Sequence, residues 1–463
     1  MENAKYTYRL LSRFVIEAQT PISVGKGEKS ILSDAIVATD VNGLPYIPGT
    51  SIAGVLRHSM LKLEKEHDTK KIMGFQDGDS GMGSRLIVSE AKIMDSDGCV
   101  VDGLLTSASQ DCLLSHFTQE LPIRQHVRIN GMGTADHTGK FDEQVVFSGT
   151  RFCFEMEMIA DSTEIEEFNS VLGHFGKKGF RIGSGSRKDF GKIKIVKFQT
   201  KQLDLSKKED LDLYLSKSSK LSDDWSGWTE EKAPERIDNE WVEYKLCITP
   251  EDFFLFGSGF GDDDADMTPV KECKVIWSGG KGTMSDKYFL IPASSVKGAL
   301  SHRTAFYWNK INGFFSDSKQ AKVGKDNPAV ALLFGSEGEI GSSNKQTKKR
   351  RGNLLFSDVI EKKPVVDKVL THVAIDRFTG GALNGALFNE KTTFGKGQNF
   401  ELCILADKNA INDSDETICA SFEEALKDIC KGMLPLGGGV NRGNGVFSGA
   451  LYKDGIKIYP ENK

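Results

Sequence analysis

The stretch YIPGTSIAGVLRH, from Tyr46 to His58, recurs as LIPASSVKGALSH, from Leu290 to His302. Pro48 and Pro292 mark the same turn in each copy and lie 244 residues apart. In each copy the Ser/Thr pair after the proline suits the N-cap of a helix, and apolar residues then recur at helical spacing. Both copies therefore predict a tight turn followed by an amphipathic helix.

Three further pairs of segments follow in the same order in both halves of the chain. They are Gly83–Ile93 with Arg351–Glu361, Gln125–Glu157 with Thr371–Ile404, and Arg181–Ile193 with Pro435–Phe447. Four matches in register indicate a tandem duplication, with loop insertions that differ between the copies. The function is therefore expected to be that of one unit present twice.

Length and composition fit two domains. The chain has 463 residues, which is more than one core usually holds. A charged, Ser-rich linker over residues 207–240 is predicted to separate a first domain, 1–206, from a second, 241–463. No apolar run reaches the roughly 18 residues of a membrane span, and the first residues lack a signal-peptide core. We therefore expect a soluble, cytoplasmic protein with no membrane partner.

Cysteine content and charge narrow the kinds of site. The eight cysteines are scattered without a CxxC pair, which argues against a disulfide framework and a structural zinc site. The net charge of −5 means that a polyanion must be bound by local basic patches. The clearest patches are Gly176–Arg181 and Lys345–Asn353, and the second is equally well explained as a solvated loop within an insertion.

The order of elements in each unit is β-α-β-β-α-β. An opening strand with alternating apolar residues leads to the Pro turn and its helix, then to two strands, a second helix, a glycine-rich loop and a last strand. This order is that of a ferredoxin-like unit. The predicted fold class is α+β, with two tandem ferredoxin-like (RNA-recognition-motif-like) domains.

Two glycine-rich loops precede the last strands: GSGSRKDFG at Gly183–Gly191 and GGGVNRGNG at Gly437–Gly445. Glycine permits positive φ and close backbone approach, which suits amide-lined anion sites, and Arg187 or Arg442 adds a planar donor for phosphate. Neither loop is a P-loop, because no GKS or GKT follows and each ends in a strand. The loops indicate contact with a polynucleotide backbone; a tight turn with a surface arginine is the alternative.

The two Pro turns, combined with a late glycine-rich Arg loop, resemble the RAMP superfamily of CRISPR-associated proteins. The resemblance is closest to the backbone subunits of type III CRISPR effector complexes, here fused as two copies. It implies palms that carry inserted thumb hairpins, at His126–Gln144 and His372–Lys391. It also implies as partners a CRISPR guide RNA, a complementary target RNA and other effector-complex subunits.

The resemblance implies RNA contacts on the helix after the Pro turn, on the thumb and on the glycine loop. In the first unit these are Ser51, Arg57, His58, Arg128, Arg187 and Lys188. In the second unit they are Ser294, Ser295, Lys297, His302, Asp376, Arg377, Asn441 and Arg442. The second thumb matches the family's IDR sequence at Ile375–Arg377, whereas the first departs from it at Asn130. Apolar thumb residues such as Met132, Leu383 and Phe388 could wedge between stacked bases.

A loop carboxylate ahead of the Pro turn is the predicted catalytic group of the first unit. Some RAMP proteins cut the paired target RNA with an aspartate in this loop and a divalent metal, and Asp34 is the best match, ahead of Glu28 and Asp40. RNA can be cut by attack of its own 2′-OH, and a carboxylate can take the hydroxyl proton or hold a hard cation. Asp34 is therefore also the predicted ligand of Mg²⁺ or Mn²⁺.

The catalytic candidates of the second unit are less sharply defined. Alignment of the two units places Glu272 opposite Asp34, while the acidic stretch just upstream supplies several carboxylates. These are Asp262, Asp263, Asp264 and Asp266. Such a cluster would repel an RNA phosphate unless a metal were present, so it is either a metal-dependent cutting site, with Asp266, Asp264 and Asp263 as catalytic candidates, or a solvated acidic loop.

The predicted function is that of a guide-RNA-binding backbone subunit and metal-dependent endoribonuclease that cleaves target RNA within a complex. One alternative is a non-catalytic RNA-binding scaffold. Another is a metal-independent endonuclease that processes guide RNA, with His58 or His126 as the base, although such enzymes use a histidine nearer the chain start.

Overall fold

The computed structural model describes residues 6–27, 33–63, 66–107, 110–119, 121–130, 133–223, 227–234, 239–315, 317–336 and 350–460. Glu28, Met132 and most of the second basic patch lie outside the described residues. Within these ranges, no helix is long and apolar enough to cross a membrane.

The first unit holds the following elements in its described residues. Its strands are β1 Tyr8–Ala18, β2 Phe75–Asp77, β3 Ser80–Met82, β4 Leu86–Val88, β5 Lys92–Ile93, β6 Ile123–Ile129, β7 Ala135–Gln144, β8 Arg151–Ala160, β9 Ile193–Asp204 and β10 Thr229–Glu230. Its helices are α1 Gly49–Leu63, α2 Glu66–Met73, α3 Leu114–Gln119, α4 Ile165–Gly173 and α5 Lys208–Leu215.

The second unit repeats this plan with insertions. Its strands are β11 Trp241–Pro250, β12 Phe253–Phe254, β13 Lys271–Glu272, β14 Val275–Ser278, β15 Lys281–Met284, β16 Tyr288–Ile291, β17 Gly335–Ser336, β18 Arg350–Arg351, β19 Leu354–Phe356, β20 Val359–Glu361, β21 Val366–Ile375, β22 Ala382–Phe394, β23 Phe400–Asp407, β24 Phe447–Lys453 and β25 Ile456–Tyr459. Its helices are α6 Ala293–Ile311, α7 Pro328–Leu333, α8 Lys408–Asn412 and α9 Glu416–Cys430.

Each unit is built on one antiparallel sheet of ferredoxin-like topology. The first sheet has the order β10-β9-β1-β8-β4, and the second has the order β19-β23-β11-β24-β25. In both, the opening strand lies between the last strand of the repeat and the strand before its second helix. The predicted fold class, α+β with two tandem ferredoxin-like domains, is confirmed.

Aromatic residues of the opening strands organise the cores. Phe14 of β1 stacks on Phe154 of the neighbouring strand, with ring centroids 5.0 Å apart, and also contacts Phe198. Ile52 and Leu56 of α1 are fully buried against this layer, because their helical spacing places them on one face. The predicted amphipathic helix after the Pro turn therefore covers the sheet.

Two long hairpins stand apart from the main sheets at the positions predicted for the thumbs. They are β6–β7 in the first unit and β21–β22 in the second. An equivalent ring pair lies on each hairpin: His126 with Phe141 and His372 with Phe388, both with centroids 4.9 Å apart. The repeat therefore extends to individual side chains.

The charged stretch predicted as a linker carries structure of its own. It contains α5 and β10, and β10 pairs with β9 through Thr229 and Glu230. Tyr214 Oη of α5 donates to the Glu157 carboxylate at 2.7 Å, and Leu221 is buried. These residues therefore extend the first sheet and its packing.

The β14–β15 hairpin of the second unit packs against the first unit. Trp277 Nε1 donates to the Gly149 carbonyl at 2.8 Å, and the Val275 amide donates to the Ser148 carbonyl at 2.8 Å. Gly149 has φ of 82°, and a Cβ there would lie 2.0 Å from the Val275 carbonyl oxygen. Only glycine permits this close approach, which joins the two units.

Candidate nucleic-acid interface

Asp34 is held against the base of the first thumb. Its amide donates to Asp142 Oδ1 at 2.8 Å, and the Asp142 amide donates back to Asp34 Oδ2 at 3.4 Å. The next residue, Ala35, forms a parallel bridge with Glu143 of β7. The carboxylate of Asp34 is exposed, so these contacts fix the loop while leaving the side chain at the surface.

Asp266 occupies the equivalent position in the second unit. Its amide donates to the Asn389 carbonyl at 3.0 Å, and the Asn389 amide donates to Asp266 Oδ2 at 2.8 Å. Met267 then forms a parallel bridge with Glu390 of β22, as Ala35 does with Glu143. Of the acidic residues in this loop, Asp266 is therefore the counterpart of Asp34.

Glu272, which the alignment of the two units places opposite Asp34, lies elsewhere. It is buried and accepts from Arg124 of the first unit, with Arg124 Nη2 and Glu272 Oε2 at 2.8 Å. The proposed alignment of Glu272 with Asp34 is therefore wrong. Pro292 follows Asp266 by 26 residues, whereas Pro48 follows Asp34 by 14, and the β14–β15 hairpin accounts for most of the extra length.

The other acidic residues of the second loop are arranged around a lysine. Lys391 forms ion pairs with Asp262 and, at 3.2 Å, with Asp264. The hydrogen bond from Lys391 lowers the pKa of Asp262. Asp263 is exposed. Part of the negative charge of the cluster is thus neutralised within the protein, and Asp266 faces the thumb base.

The glycine loops contact the thumbs next to these aspartates, at Glu143 of β7 and Glu390 of β22, which we call the thumb bases. Lys188 donates to Glu143, which His126 also contacts at 2.8 Å. Although burial opposes it, the His126 and Lys188 contacts lower the pKa of Glu143. In the second unit Glu390, fully buried, accepts from Arg442 and, at 3.0 Å, from Asn444.

The backbone of the loops sets which side chains correspond. Gly185 and Gly439 both have φ of 68°, and each begins a 3₁₀ turn. Counted from these glycines, Lys188 corresponds to Arg442, and Arg187 corresponds to Asn441. Each loop therefore offers one cation that is tied to a thumb-base glutamate.

Basic residues from both units meet beside the first glycine loop. Arg187 Nε donates to the Gly352 carbonyl at 2.7 Å. Burial, together with the charges of Lys188 and Arg187, lowers the pKa of Lys297 to about 8. Lys297 lies in the first turns of α6, after Ser294 and Ser295. The structure thus brings predicted RNA-binding residues of the two units together.

The helix residues after the Pro turns differ in their surroundings. Arg57 Nη1 donates to the Met73 carbonyl at 3.2 Å, and His58 lies 3.4 Å from Arg351. Burial and the Arg351 charge lower the pKa of His58. His302 contacts the Ile129 carbonyl at 3.2 Å, so the first thumb lies against α6 of the second unit. Ser51 is partly exposed in the first turn of α1.

A family comparison matches the repeat. The RAMP superfamily model matches residues 15–194 and again residues 279–448, which together are most of the chain. The chain belongs to the RAMP superfamily. A comparison with curated protein sequences gives no match. Membership identifies the chain as a CRISPR-associated RNA-binding subunit, of a family whose members work in multi-subunit complexes.

The remaining predicted residues of the RAMP units lie on the thumbs. Asp376 Oδ1 accepts from the amides of Phe378 and Thr379, both at 2.8 Å, and these bonds lower the pKa of Asp376. Arg377 is exposed beside it, and Arg128 is exposed on β6. Phe378 is 99% exposed, so the second thumb presents an aromatic ring to its surroundings.

The carboxylate loops offer the kind of oxygen ligands that a divalent cation requires. Asp34 and Asp142 contact each other through hydrogen bonds from the backbone amide of each to the carboxylate of the other. Their carboxylates offer only oxygen ligands, which suits Mg²⁺ or Mn²⁺. Asp266 and Asn389 offer a carboxylate and an amide oxygen. No group of three or more His, Cys, Asp or Glu suited to a metal occurs among the described residues. The fit therefore requires further oxygen ligands from RNA phosphate.

The thumb-base glutamates were not among the predicted site residues. Glu143 and Glu390 sit in the matching sequences FDEQ and FNEK, which end at Gln144 and Lys391. The repeated Phe–acid/amide–Glu pattern at the same point of both thumbs was the available signal. Asn444 lacked such a signal, because the first RAMP unit has Phe190 at that position.

Proposed function

We propose that this chain is a guide-RNA-binding backbone subunit of a type III CRISPR effector complex that cuts complementary target RNA at two places. Asp34 would act in the first RAMP unit and Asp266 in the second. The observation that carries the proposal is their equivalence: each is exposed, and each is fixed to the base of a thumb by paired amide contacts.

The surroundings of each aspartate support a role beside a paired RNA strand. Lys188 and Arg442 lie on the glycine loops that contact the same thumb bases. Each is paired with a glutamate, and its remaining N–H donors suit a phosphate oxygen. A thumb that displaces one nucleotide would expose a ribose and its phosphate at this point. The carboxylate would then be close to a single unpaired linkage.

The proposed reaction uses the 2′-OH of the target RNA as the nucleophile. The 2′-oxygen bonds to the adjacent phosphorus and the bond from phosphorus to the 5′-oxygen breaks, leaving a 2′,3′-cyclic phosphate. The aspartate takes the 2′-OH proton, and water supplies a proton to the departing 5′-oxygen. A bound Mg²⁺ or Mn²⁺ would supply charge neutralisation at the phosphate.

Site-resolved cleavage tests the proposal. The co-purified complex is given a labelled RNA complementary to its guide, with Mg²⁺ or with EDTA, and the products are separated by length. We expect two cuts in the wild type, with Asp34→Ala removing one and Asp266→Ala the other, each by about a hundredfold or more. Asp77→Ala, which changes an exposed aspartate outside both loops, should leave both cuts unchanged.

Other results of this experiment would support one of the two alternative functions. Unchanged cleavage in both aspartate variants would make the chain a non-catalytic scaffold and move the chemistry to another subunit. Cutting of repeat RNA by the isolated chain in EDTA would instead identify a guide-processing endonuclease. RNA binding is measured in parallel, because the proposal requires that both variants bind guide RNA as the wild type does.

A further inference from the structure

A cleft of about 420 Å³ lies where the two RAMP units meet. Its walls come from α1 and the segment 177–187 of the first unit, and from Trp241 and Arg351 of the second. We call it the junction cleft. Its cationic lining residues are Lys62, Lys177, Arg181, Arg187 and Arg351.

The lysines of the junction cleft have acidic partners. Lys62 lies 2.6 Å from Asp407 and 3.3 Å from Glu240, and Lys177 lies 3.4 Å from Glu240. These contacts neutralise the ammonium groups on one side of the cleft.

The guanidinium groups contact neutral oxygens instead. Arg187 donates to the Gly352 carbonyl and, at 2.8 Å, Arg351 donates to the Ser186 hydroxyl. Among the described residues, no carboxylate lies within 4 Å of Arg181, Arg187 or Arg351. Three guanidinium groups therefore share the cleft without a salt bridge to a carboxylate, and the Asp189 and Asp407 charges act on Arg181 and Arg187 only from a greater distance.

Arg181 gives an independent indication that an acceptor is missing. The residue is 5% exposed and lines the cleft, and its Nη1 donates to the carbonyls of Lys178 and Phe180. Its Nε is buried without a hydrogen-bond partner. A buried charged donor without an acceptor is costly, and a bound anion would supply one.

The electrostatics of the cleft agree with this geometry. Burial and the Arg351 charge lower the pKa of Arg187 to about 10. Burial also lowers the pKa of Arg351 and of Arg181. Crowded like charges in a partly buried space disfavour the charged forms, and an anion between them reverses that effect.

We propose that the junction cleft binds one phosphate group of an RNA strand between the two RAMP units. Guanidinium forks match phosphate oxygens in geometry, and the cleft is within the size range of small-ligand sites. The inference deepens the proposed function, on which the identity of the strand as guide RNA rests. Because both units supply the walls, a phosphate bound there also fixes one unit against the other.

The second unit lacks the side chains that line this cleft in the first. The positions that correspond to Lys62, Arg181 and Arg187 in the second unit hold Phe306, Pro435 and Asn441. The duplication therefore does not repeat the guanidinium cluster, and one phosphate per chain is the expected stoichiometry.

RNA binding by the full chain tests the proposal. A fluorescent single-stranded RNA of about 12 nucleotides is titrated by anisotropy at several NaCl concentrations, without target RNA and with EDTA. We expect Arg351→Gln to weaken binding about tenfold and to reduce the slope of log K against log salt by about 1. Arg351→Lys should give an intermediate loss, because the charge remains while the planar fork is lost.

Lys281→Gln is the matched control. Lys281 is also an exposed cation that joins the units, but it pairs with Asp97 at 3.3 Å away from the cleft. The Lys281→Gln variant should bind RNA with an affinity within about twofold of that of the wild type. Wild-type binding and an unchanged salt slope in Arg351→Gln would overturn the proposal.

Two further arms complete the test. Adenosine monophosphate is the probe for a free nucleotide: loss of its binding in Arg351→Gln, with RNA binding intact, would overturn the RNA assignment. If Arg351→Gln fails to fold, 4-thiouridine RNA is photo-crosslinked to the wild-type chain. Crosslinks to segments 177–187 and 350–353 support the cleft, and their absence there overturns it. Because cleavage is not measured, a failure of the proposed nuclease activity leaves these results unaffected.

Discussion

Asp189 is a residue whose backbone and charge are both unusual. It adopts φ of 69°, where the corresponding Gly443 of the second unit adopts 90°. Its Oδ2 accepts from the Asp358 amide at 2.9 Å, which links the first glycine loop to the second unit. Burial and the neighbouring Asp358 raise the pKa of Asp189 to about 7. The hydrogen bond therefore explains why an aspartate occupies a backbone position that favours glycine.

This environment predicts a pH-dependent stability. The folded chain keeps the Asp189 proton up to about pH 7, whereas an unfolded chain releases it near pH 4. The contribution of the Asp189 proton to the free energy of unfolding is thus complete below pH 4 and is lost as the pH rises through 7. Asp189→Asn keeps the acceptor and removes the charge, so we expect it to stabilise the protein at pH 8 by on the order of 2 kcal/mol. Urea denaturation measures this gain in the free energy of unfolding, which should shrink towards pH 5.

Asp454→Asn controls for the effect of the backbone. Asp454 also has a positive φ, 47°, and accepts from the Glu243 amide at 2.8 Å, but it is exposed. Its substitution should change stability equally at pH 5 and pH 8. A pH-independent effect of Asp189→Asn would contradict the burial argument.

At the scale of elements, each thumb is connected to a glycine loop and a carboxylate loop through one glutamate. Glu143 contacts Lys188 and His126, and its backbone neighbours Ala35, which follows Asp34. The strand β7 therefore transmits the position of the glycine loop to the candidate catalytic loop. We infer that Glu143 is a positioning residue for Asp34, as Glu390 is for Asp266.

Glu143→Gln tests this connection. It keeps the shape but weakens the contact to Lys188, so the first cut should slow by about tenfold or more while the second is unchanged. Glu390→Gln should give the reverse pattern, and Glu143→Asp should recover part of the rate. The measurement is the single-turnover rate of each cut, with guide binding measured alongside. Equal slowing of both cuts would indicate a general structural defect instead.

The elements also show what the sequence could and could not predict. The repeat, the Pro turns and the order of strands could be predicted, because each is a local pattern of apolar and turn residues. The counterpart of Asp34 could not be predicted, because the β14–β15 hairpin lengthens the chain between the acidic loop and Pro292 in the second unit. Arg187 and Lys188 were predicted as RNA-binding residues, but their contacts within the protein could not be predicted, because their partners Gly352 and Glu143 are distant in sequence.

At the scale of the whole molecule, a buried ionic contact holds the two RAMP units together. Arg124 of the first unit donates to Glu272 and lies 2.9 Å from Asp358, both of the second. Asp358 in turn accepts from the Ala293 amide at the start of α6, at 2.6 Å. Burial opposes the charge of Arg124, but Asp358 and Glu272 outweigh it and raise its pKa. The arginine thus connects the first thumb to the helix after the second Pro turn.

Removing Arg124 should weaken the contact between the two units and so lower the stability of the chain. Arg124→Met leaves two buried carboxylates without their cation, and we expect it to lower the free energy of unfolding by about 3 kcal/mol or more. Lys178→Met is the matched control, because Lys178 also joins the units, to Glu243 at 3.2 Å, but through an exposed pair worth about 1 kcal/mol or less. Urea denaturation of both variants compares them directly. If Arg124→Met lost no more stability than Lys178→Met, the buried contact would not be what holds the RAMP units together, and the β14–β15 packing against Gly149 would have to suffice.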